Sequence, residues 1–282
     1  MMKIASIEYQ ARREMLIQLL PDNSMAIVSG YGLRYMTQGI FYPFHQCTSF
    51  KYLTGINEPD CCLVIHKISK SSSISTLYLH PADKSLEQWD GPKIGLKNAV
   101  KDYNFDASAD IRKLPTLIEE STSKYSHIFS NLPLNLPHGG VLASSFINTL
   151  RGSATHPPGD SSISSFLSKL RIGKSGKAII SQIDPIIDKL RMVKSSSEIG
   201  LMRKAGQIAG RSFQETMRQS KNIKSEHKIQ AVFEFHSKMN DAVCLSYVPV
   251  VAGGDNALIL HYTKNNQMLR HKKINLGRVN YF

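Results

Sequence analysis

Ser246-Tyr247-Val248-Pro249-Val250-Val251-Ala252-Gly253-Gly254-Asp255-Asn256-Ala257-Leu258-Ile259-Leu260-His261-Tyr262 reads as a glycine turn between two apolar strands. It ends on a His-Tyr pair and runs into the polar Thr263-Lys264-Asn265-Asn266. No Asp or Glu follows Asp255, whereas five Lys or Arg do. A hydrolase that needs carboxylates downstream of His261 does not find them in these residues. Gly253-Gly254 is not a phosphate loop, because no Lys-Ser/Thr follows and a strand rather than a helix is expected next. His261 stands at a strand end beside a polar turn, a place where a lone histidine is most often structural.

Upstream of this stretch lie two helical patterns. A capping box at Ser195-Ser196-Ser197-Glu198 opens a helix with apolar positions Ile199, Met202, Ala205, Ile208, Ala209, Phe213 and Met217. A second helix carries Ile229, Val232, Phe233, His236 and Met239. His227 and His236, with Glu226 and Glu234, are not in H-E-x-x-H order, so solvated or helix-packing roles are favoured over a metal cluster. A further helix is expected near 178–191. The segment 152–177, rich in Ser, Gly and Pro, reads as a linker or insertion with a short helix around Phe166–Leu170.

The first half alternates strands and helices. A helix is expected over 7–20, ended by Pro21-Asp22-Asn23, then strands at Met25–Val28, Cys61–Ile65, Thr76–Leu79 and His127–Phe129. Helices are expected near 84–89 and 109–123, and Phe50–Leu53 leads into the turn Gly55-Ile56-Asn57-Glu58-Pro59-Asp60. That alternation argues for an α/β domain over 1–150.

Composition bounds the rest. The 282 residues allow about two domains, and 41% apolar with 20% charged residues is ordinary for a folded protein. No apolar run reaches the roughly 18–20 residues that span a bilayer. The N-terminus has no signal-peptide core and carries Glu8 and Glu14, which a transit peptide would avoid. Charge is lopsided: residues 1–150 hold 14 Lys+Arg and 13 Asp+Glu, whereas 151–282 hold 21 and 9. These cations are scattered along helical patterns without an RNA or helix-turn-helix motif, which disfavours a nucleic-acid partner. Cys47, Cys61, Cys62 and Cys244 form no C-x-x-C pair. They read as buried free thiols of a reducing compartment, with adjacent Cys61 and Cys62 pointing to opposite faces of a strand.

Several ordered motifs together resemble one family. Leu190-Arg191-Met192-Val193-Lys194-Ser195, Glu198-Ile199, Met202-Arg203-Lys204-Ala205 and the 246–266 block are similar to the opening of the catalytic domain of Xaa-Pro aminopeptidases. Phe41-Tyr42-Pro43-Phe44-His45-Gln46, Tyr52-Leu53-Thr54-Gly55, Glu58-Pro59-Asp60 and Trp89-Asp90-Gly91-Pro92-Lys93-Ile94-Gly95 resemble the N-terminal domain of aminopeptidase P, above all its mitochondrial, intermediate-cleaving branch. The resemblance implies an α/β architecture: an aminopeptidase P N-terminal domain (1–151), a linker (152–177), an incomplete pita-bread domain (178–270) and a tail outside the family pattern (271–282). It implies removal of an N-terminal residue before proline, or trimming of imported mitochondrial proteins.

In the family two divalent ions, usually manganese, are held by two aspartates, a histidine and two glutamates, and a bridging water is the nucleophile. All five ligands fall after the His-Tyr motif, so the resemblance implies a truncated chain that binds neither ion and is inactive alone. His261 takes the place of a substrate-contacting histidine, and Trp89 that of a tryptophan reaching toward a neighbouring subunit's active site. The implied partner is a peptide. The alternative is a non-catalytic protein forming homo-oligomers through the N-terminal domain. The implied location is mitochondrial, or cytoplasmic if the chain is complete at its N-terminus. The helices at 196–219 and 225–239 are expected to keep exposed apolar faces unless a partner covers them.

Overall fold

The computed structural model describes residues 3–121, 124–131 and 178–269. The chain divides into two compact units, residues 4–193 and the part from Lys194 onward. The expected short helix at 166–170 and the tail at 271–282 lie outside the described residues.

Strand β1 (Ser24–Ser29) sits inside a six-stranded sheet and is buried along its whole length, as its unbroken apolar run Met25–Val28 requires. It pairs antiparallel with β4 (Cys62–Ser69), Ala26 opposite Ile65, and parallel with β7 (His127–Ser130), Met25 opposite Ile128. A hairpin joins β4 to β5 (Ser72–Leu79), and β6 (Ala107–Asp110) and β8 (Ile179–Gln182) close the two edges as parallel strands. The order is β6-β5-β4-β1-β7-β8. A separate exposed ribbon joins β2 (Tyr35–Thr37) to β3 (Ile40–Phe41).

Alternation along each strand divides the core in two. Ala26, Val28, Leu63, Ile65, Leu77 and Leu79 face one side, under Leu16 of α1 (Ser6–Leu19), Phe50 and Leu53 of α2 (Thr48–Thr54) and Ala99 of α4 (Gly95–Tyr103). Met25, Ile27, Val64 and Ile128 face the other, under Leu114 and Ile118 of α5 (Leu114–Ser121). Cys61 belongs to the first core and Cys62 to the second, so the adjacent thiols do point to opposite faces. Burial pushes both thiols up, well beyond the ordinary range. Cys244 departs from the expectation: it is free but exposed.

Three buried cations, Lys67 and the α1 residues Arg12 and Arg13, tie α1 to its surroundings; Arg12 donates to Tyr52 O at 3.1 Å. Lys67 Nζ donates to Ile17 O at 2.8 Å and Leu20 O at 2.5 Å, adding a cationic donor to the carbonyls at the end of α1. The Arg13 guanidinium donates to Leu53 O, Tyr103 O and Asn104 O and lies 4.1 Å above the Phe105 ring. Burial pushes its pKa down to about 10, against the pull of Asp106 and Glu14.

Several elements differ from expectation. Phe50–Leu53 is helical, and Gly55 ends that helix with φ +72, where an added Cβ would run into the Tyr9 ring. The helix expected over 109–123 begins as strand β6 and a short 3-10 turn before α5. The helix expected near 178–191 begins instead as β8, because Ile179 and Ile180 lie beside His127 and Ile128 of β7; only Asp184–Met192 is helical (α6). That pairing carries residues 178–193 into the first unit, so the structural division falls at Val193/Lys194 rather than within 152–177.

The second unit is built on α7 (Ser196–Ser220) and α8 (Glu226–Met239). The capping box forms: Glu198 N donates to Ser195 Oγ at 3.1 Å and Ser195 N to Glu198 Oε2 at 2.8 Å. Small residues Ala209, Ser212 and Thr216 are buried on α7, with Ile229, Phe233 and Ser237 on α8, and the Phe213 and Phe233 rings lie 4.9 Å apart. Met202 and Met217 of α7 and Phe235 and Met239 of α8 are exposed.

Candidate functional site

The apolar runs 246–252 and 257–260 do not become strands. Residues 254–258 form a 3-10 turn, and the one bridge in this region joins Ser225 to Met268. The physical reason is visible in the backbone donors. Val251 N donates to Asn265 Oδ1 at 2.9 Å and Gly253 N to Glu226 Oε1 at 2.8 Å, so side chains take up groups that a ladder would need.

Two buried polar residues therefore organise this segment. Glu226, in the first turn of α8 and fully buried, accepts at Oε1 from Gly253 N and Asn256 Nδ2 (3.1 Å), and at Oε2 from the Tyr262 hydroxyl (2.7 Å) and Gln267 N (2.9 Å). Burial disfavours its charge, but the donors outweigh that cost and hold its carboxyl below the ordinary value. Asn265 adopts φ +47, a region Asn tolerates better than most residues, and donates to Gln230 Oε1 and Pro249 O, each at 2.9 Å. His261 lies exposed on the turn between Asn256 and Tyr262, while Tyr262 itself is buried. Burial and the neighbouring Glu226 carboxylate both push the Tyr262 hydroxyl up.

Trp89 belongs to the first unit. It lies on α3 (Lys84–Asp90), a helix with no buried residue, and is 85% exposed. The loop after it is pinned at three points. Gly91 N donates to Glu87 O at 2.9 Å, Lys93 N to Glu87 Oε1 at 3.1 Å, and Ile94 N to Glu58 Oε1 at 2.6 Å. Burial pushes the Glu58 carboxyl up, opposed by the Ile94 amide and by Lys93. Glu58 O in turn accepts from Gln46 Nε2 at 2.7 Å, and Gln46 Oε1 accepts from Tyr31 N (2.7 Å) and Cys47 N (2.8 Å). The motif residues Gln46, Glu58 and Ile94 thus form one support beneath the Trp89 loop.

His227 is exposed, and His236 Nε2 lies 2.9 Å from Gln219 Nε2, so neither joins a metal-type cluster. Among the described residues no group of three or more His, Cys, Asp or Glu is placed to hold a metal ion. Glu226, the carboxylate bound to this loop, already accepts from four protein donors. The described residues therefore do not fit a two-metal centre. Sequence reasoning noticed Glu226 only as a possible ligand and missed its role as a hub. The available signal was an acidic residue opening a helix, directly upstream of a segment with few other acids.

These features define a class: an α/β N-terminal unit followed by helices and a loop of the pita-bread metallopeptidase type. The chain matches the family models described as aminopeptidase P, N-terminal domain, over residues 9–129, and metallopeptidase family M24, over residues 200–278. The chain thus carries an aminopeptidase P N-terminal domain followed by a segment of the metallopeptidase family M24 domain. The second match runs past residue 270, where the tail was expected to leave the family pattern.

Xaa-Pro aminopeptidase 3 of Dictyostelium discoideum is 30% identical over 280 residues, covering 94% of this chain and 48% of that protein. Intermediate cleaving peptidase 55, mitochondrial, of Arabidopsis thaliana is 28% identical over 270 residues, covering 93% and 47%. Escherichia coli aminopeptidase P with the inhibitor Pro-Leu superposes with a TM-score of 0.76 at 22% identity, over 96% of this chain and 58% of that one. That likeness establishes the fold. The chain spans about half the length of the curated relatives it matches. No described helix is long and apolar enough to cross a membrane.

Proposed function

We propose that this chain acts in N-terminal exopeptidase chemistry, engaging peptides whose second residue is proline or the trimmed ends of imported mitochondrial proteins. The observation that carries the reading is the order of two matched domains in one chain, the second presenting His261 on a braced turn. In this reading His261 contacts the peptide, and Trp89 extends toward the site of a second subunit, joined through the N-terminal unit.

An imidazole ring has the nitrogen groups to hydrogen-bond the substrate backbone. Tyr262 and Asn265, both buried, fix the backbone on the C-terminal side of His261 through their bonds to Glu226, Gln230 and Pro249 O. The divalent pair that such a peptidase uses, manganese in this proposal, would activate water and polarise the scissile carbonyl. Its ligands are not among those that the described residues bring together, so we assign peptide engagement to these residues and no hydrolytic step. The mitochondrion is the proposed location, in line with the name of the Arabidopsis relative.

The test uses the purified 282-residue chain with added Mn2+ and an Xaa-Pro peptide. Binding that is lost in His261→Ala, without turnover, is the expected result. Turnover with two bound metal ions would overturn the division of roles, and absence of binding would remove the part given to His261.

A further inference from the structure

We propose that Glu226 is a positioning residue, which presents His261 to the peptide by clamping both limbs of the turn that carries it. The inference rests on the peptide-contacting role proposed for His261 above. One carboxylate oxygen holds the incoming limb through Gly253 N and Asn256 Nδ2; the other holds the outgoing limb through the Tyr262 hydroxyl and Gln267 N. His261 lies inside this clamp, directly before Tyr262, whose hydroxyl is fixed 2.7 Å from the carboxylate.

Asn265 braces the base of the segment through Val251 N and Pro249 O, but the part of the turn around His261 has few other holds. It is not part of a ladder, and Leu258, Ile259 and Leu260 are exposed rather than packed. An exposed irregular turn samples many conformations, and each unproductive one lowers the apparent affinity in proportion to its population. A buried carboxylate taking four donors from four points of the turn removes most of that freedom. Glu226 sits on α8, whose packing on α7 does not depend on the turn, so the clamp is anchored to a rigid element. A carboxylate is the group that suits this place. It can accept at both oxygens, whereas a Gln amide would set its N–H against Gln267 N–H.

The experiment has two readouts on the full chain. Hydrogen exchange resolved over 250–269 reports the clamp without reference to activity. Glu226→Ala is expected to speed exchange there at least tenfold, with the first unit unchanged; unaltered exchange would overturn the proposal. Binding of the dipeptide Pro-Leu reports presentation of the histidine. Glu226→Ala and His261→Ala are each expected to weaken it about tenfold, the size of one hydrogen bond, and the double variant no further than His261→Ala.

A purely structural Glu226 would weaken binding equally with or without His261, and additive losses therefore sink the positioning role. Glu226→Gln should fall between wild type and Glu226→Ala. Tyr262→Phe keeps the ring, removes one hydroxyl and should give a smaller loss of the same kind, which preserves the test if Glu226→Ala fails to fold. If the wild type does not bind Pro-Leu while the exchange result holds, the clamp stands and the function proposed for His261 fails.

Discussion

Removing the Gln46 side chain should loosen the support beneath the Trp89 loop at a definable cost. Gln46 is 1% exposed, and its amide makes three contacts with buried or half-buried backbone: it accepts from Tyr31 N and Cys47 N, and donates to Glu58 O. Gln46→Ala deletes all three. A buried backbone group that loses its partner costs about 1–3 kcal/mol, and partial access of water to the Tyr31 and Glu58 loops keeps the total near the low end, roughly 3 kcal/mol. For a unit of this size that corresponds to a fall in Tm of roughly 6–12 °C.

Urea denaturation followed by far-UV circular dichroism gives the free energy, and hydrogen exchange at Tyr31, Cys47 and Ile94 locates it. The companion Gln46→Glu separates the two halves of the argument. It keeps the acceptor for Tyr31 N and Cys47 N but sets a second acceptor against Glu58 O. The introduced carboxyl is then favoured in its protonated form, so its folded pKa is raised. The stability it restores is present in acid and lost as pH rises through that value. A Gln46→Ala variant within about 1 kcal/mol of wild type, or a Gln46→Glu variant as stable as wild type at neutral pH, would refute the reasoning.

Three further outcomes follow from single features. Gly55→Ala should cost roughly 1–3 kcal/mol in urea melts, because φ is +72 there and the added methyl meets the Tyr9 ring; an unchanged midpoint would contradict the close approach. In a thiol-labelling time course, Cys244 should react first, with Cys61 and Cys62 protected until the first unit unfolds, since burial pushes both of the latter up. The Glu226 carboxyl is held below its ordinary value, so its contribution to the 253–267 turn is fully present above that value and lost as pH falls through the lower, folded one. Exchange in the turn should therefore rise selectively in acid, and Glu226→Gln should flatten the profile.

Period and punctuation made much of the first unit readable. Met25–Val28, Cys61–Ile65 and Thr76–Leu79 are apolar runs bounded by turn residues, and they became central strands because both faces of the sheet are covered. The Ser195 capping box was equally legible, since it depends only on residues three apart in the chain. By contrast, Ile179-Ile180 suited a helix or a strand equally well, and only the free edge of β7 decided between them.

The 246–262 stretch shows the same limit at the candidate site. Its valines and isoleucine favour extended structure, but Glu226 and Asn265, distant in the chain, accept the very amides a strand would have offered. Hydropathy cannot register that competition, because it depends on where a carboxylate and an amide lie in space. The order of amino acids thus settled which segments are buried, where helices begin and which domain models the chain matches, since these follow from local pattern and motif. Which edge strand closes the sheet, and how the turn bearing His261 is held, were decided only by tertiary contacts, because a backbone donor takes the best acceptor within reach once the chain has packed.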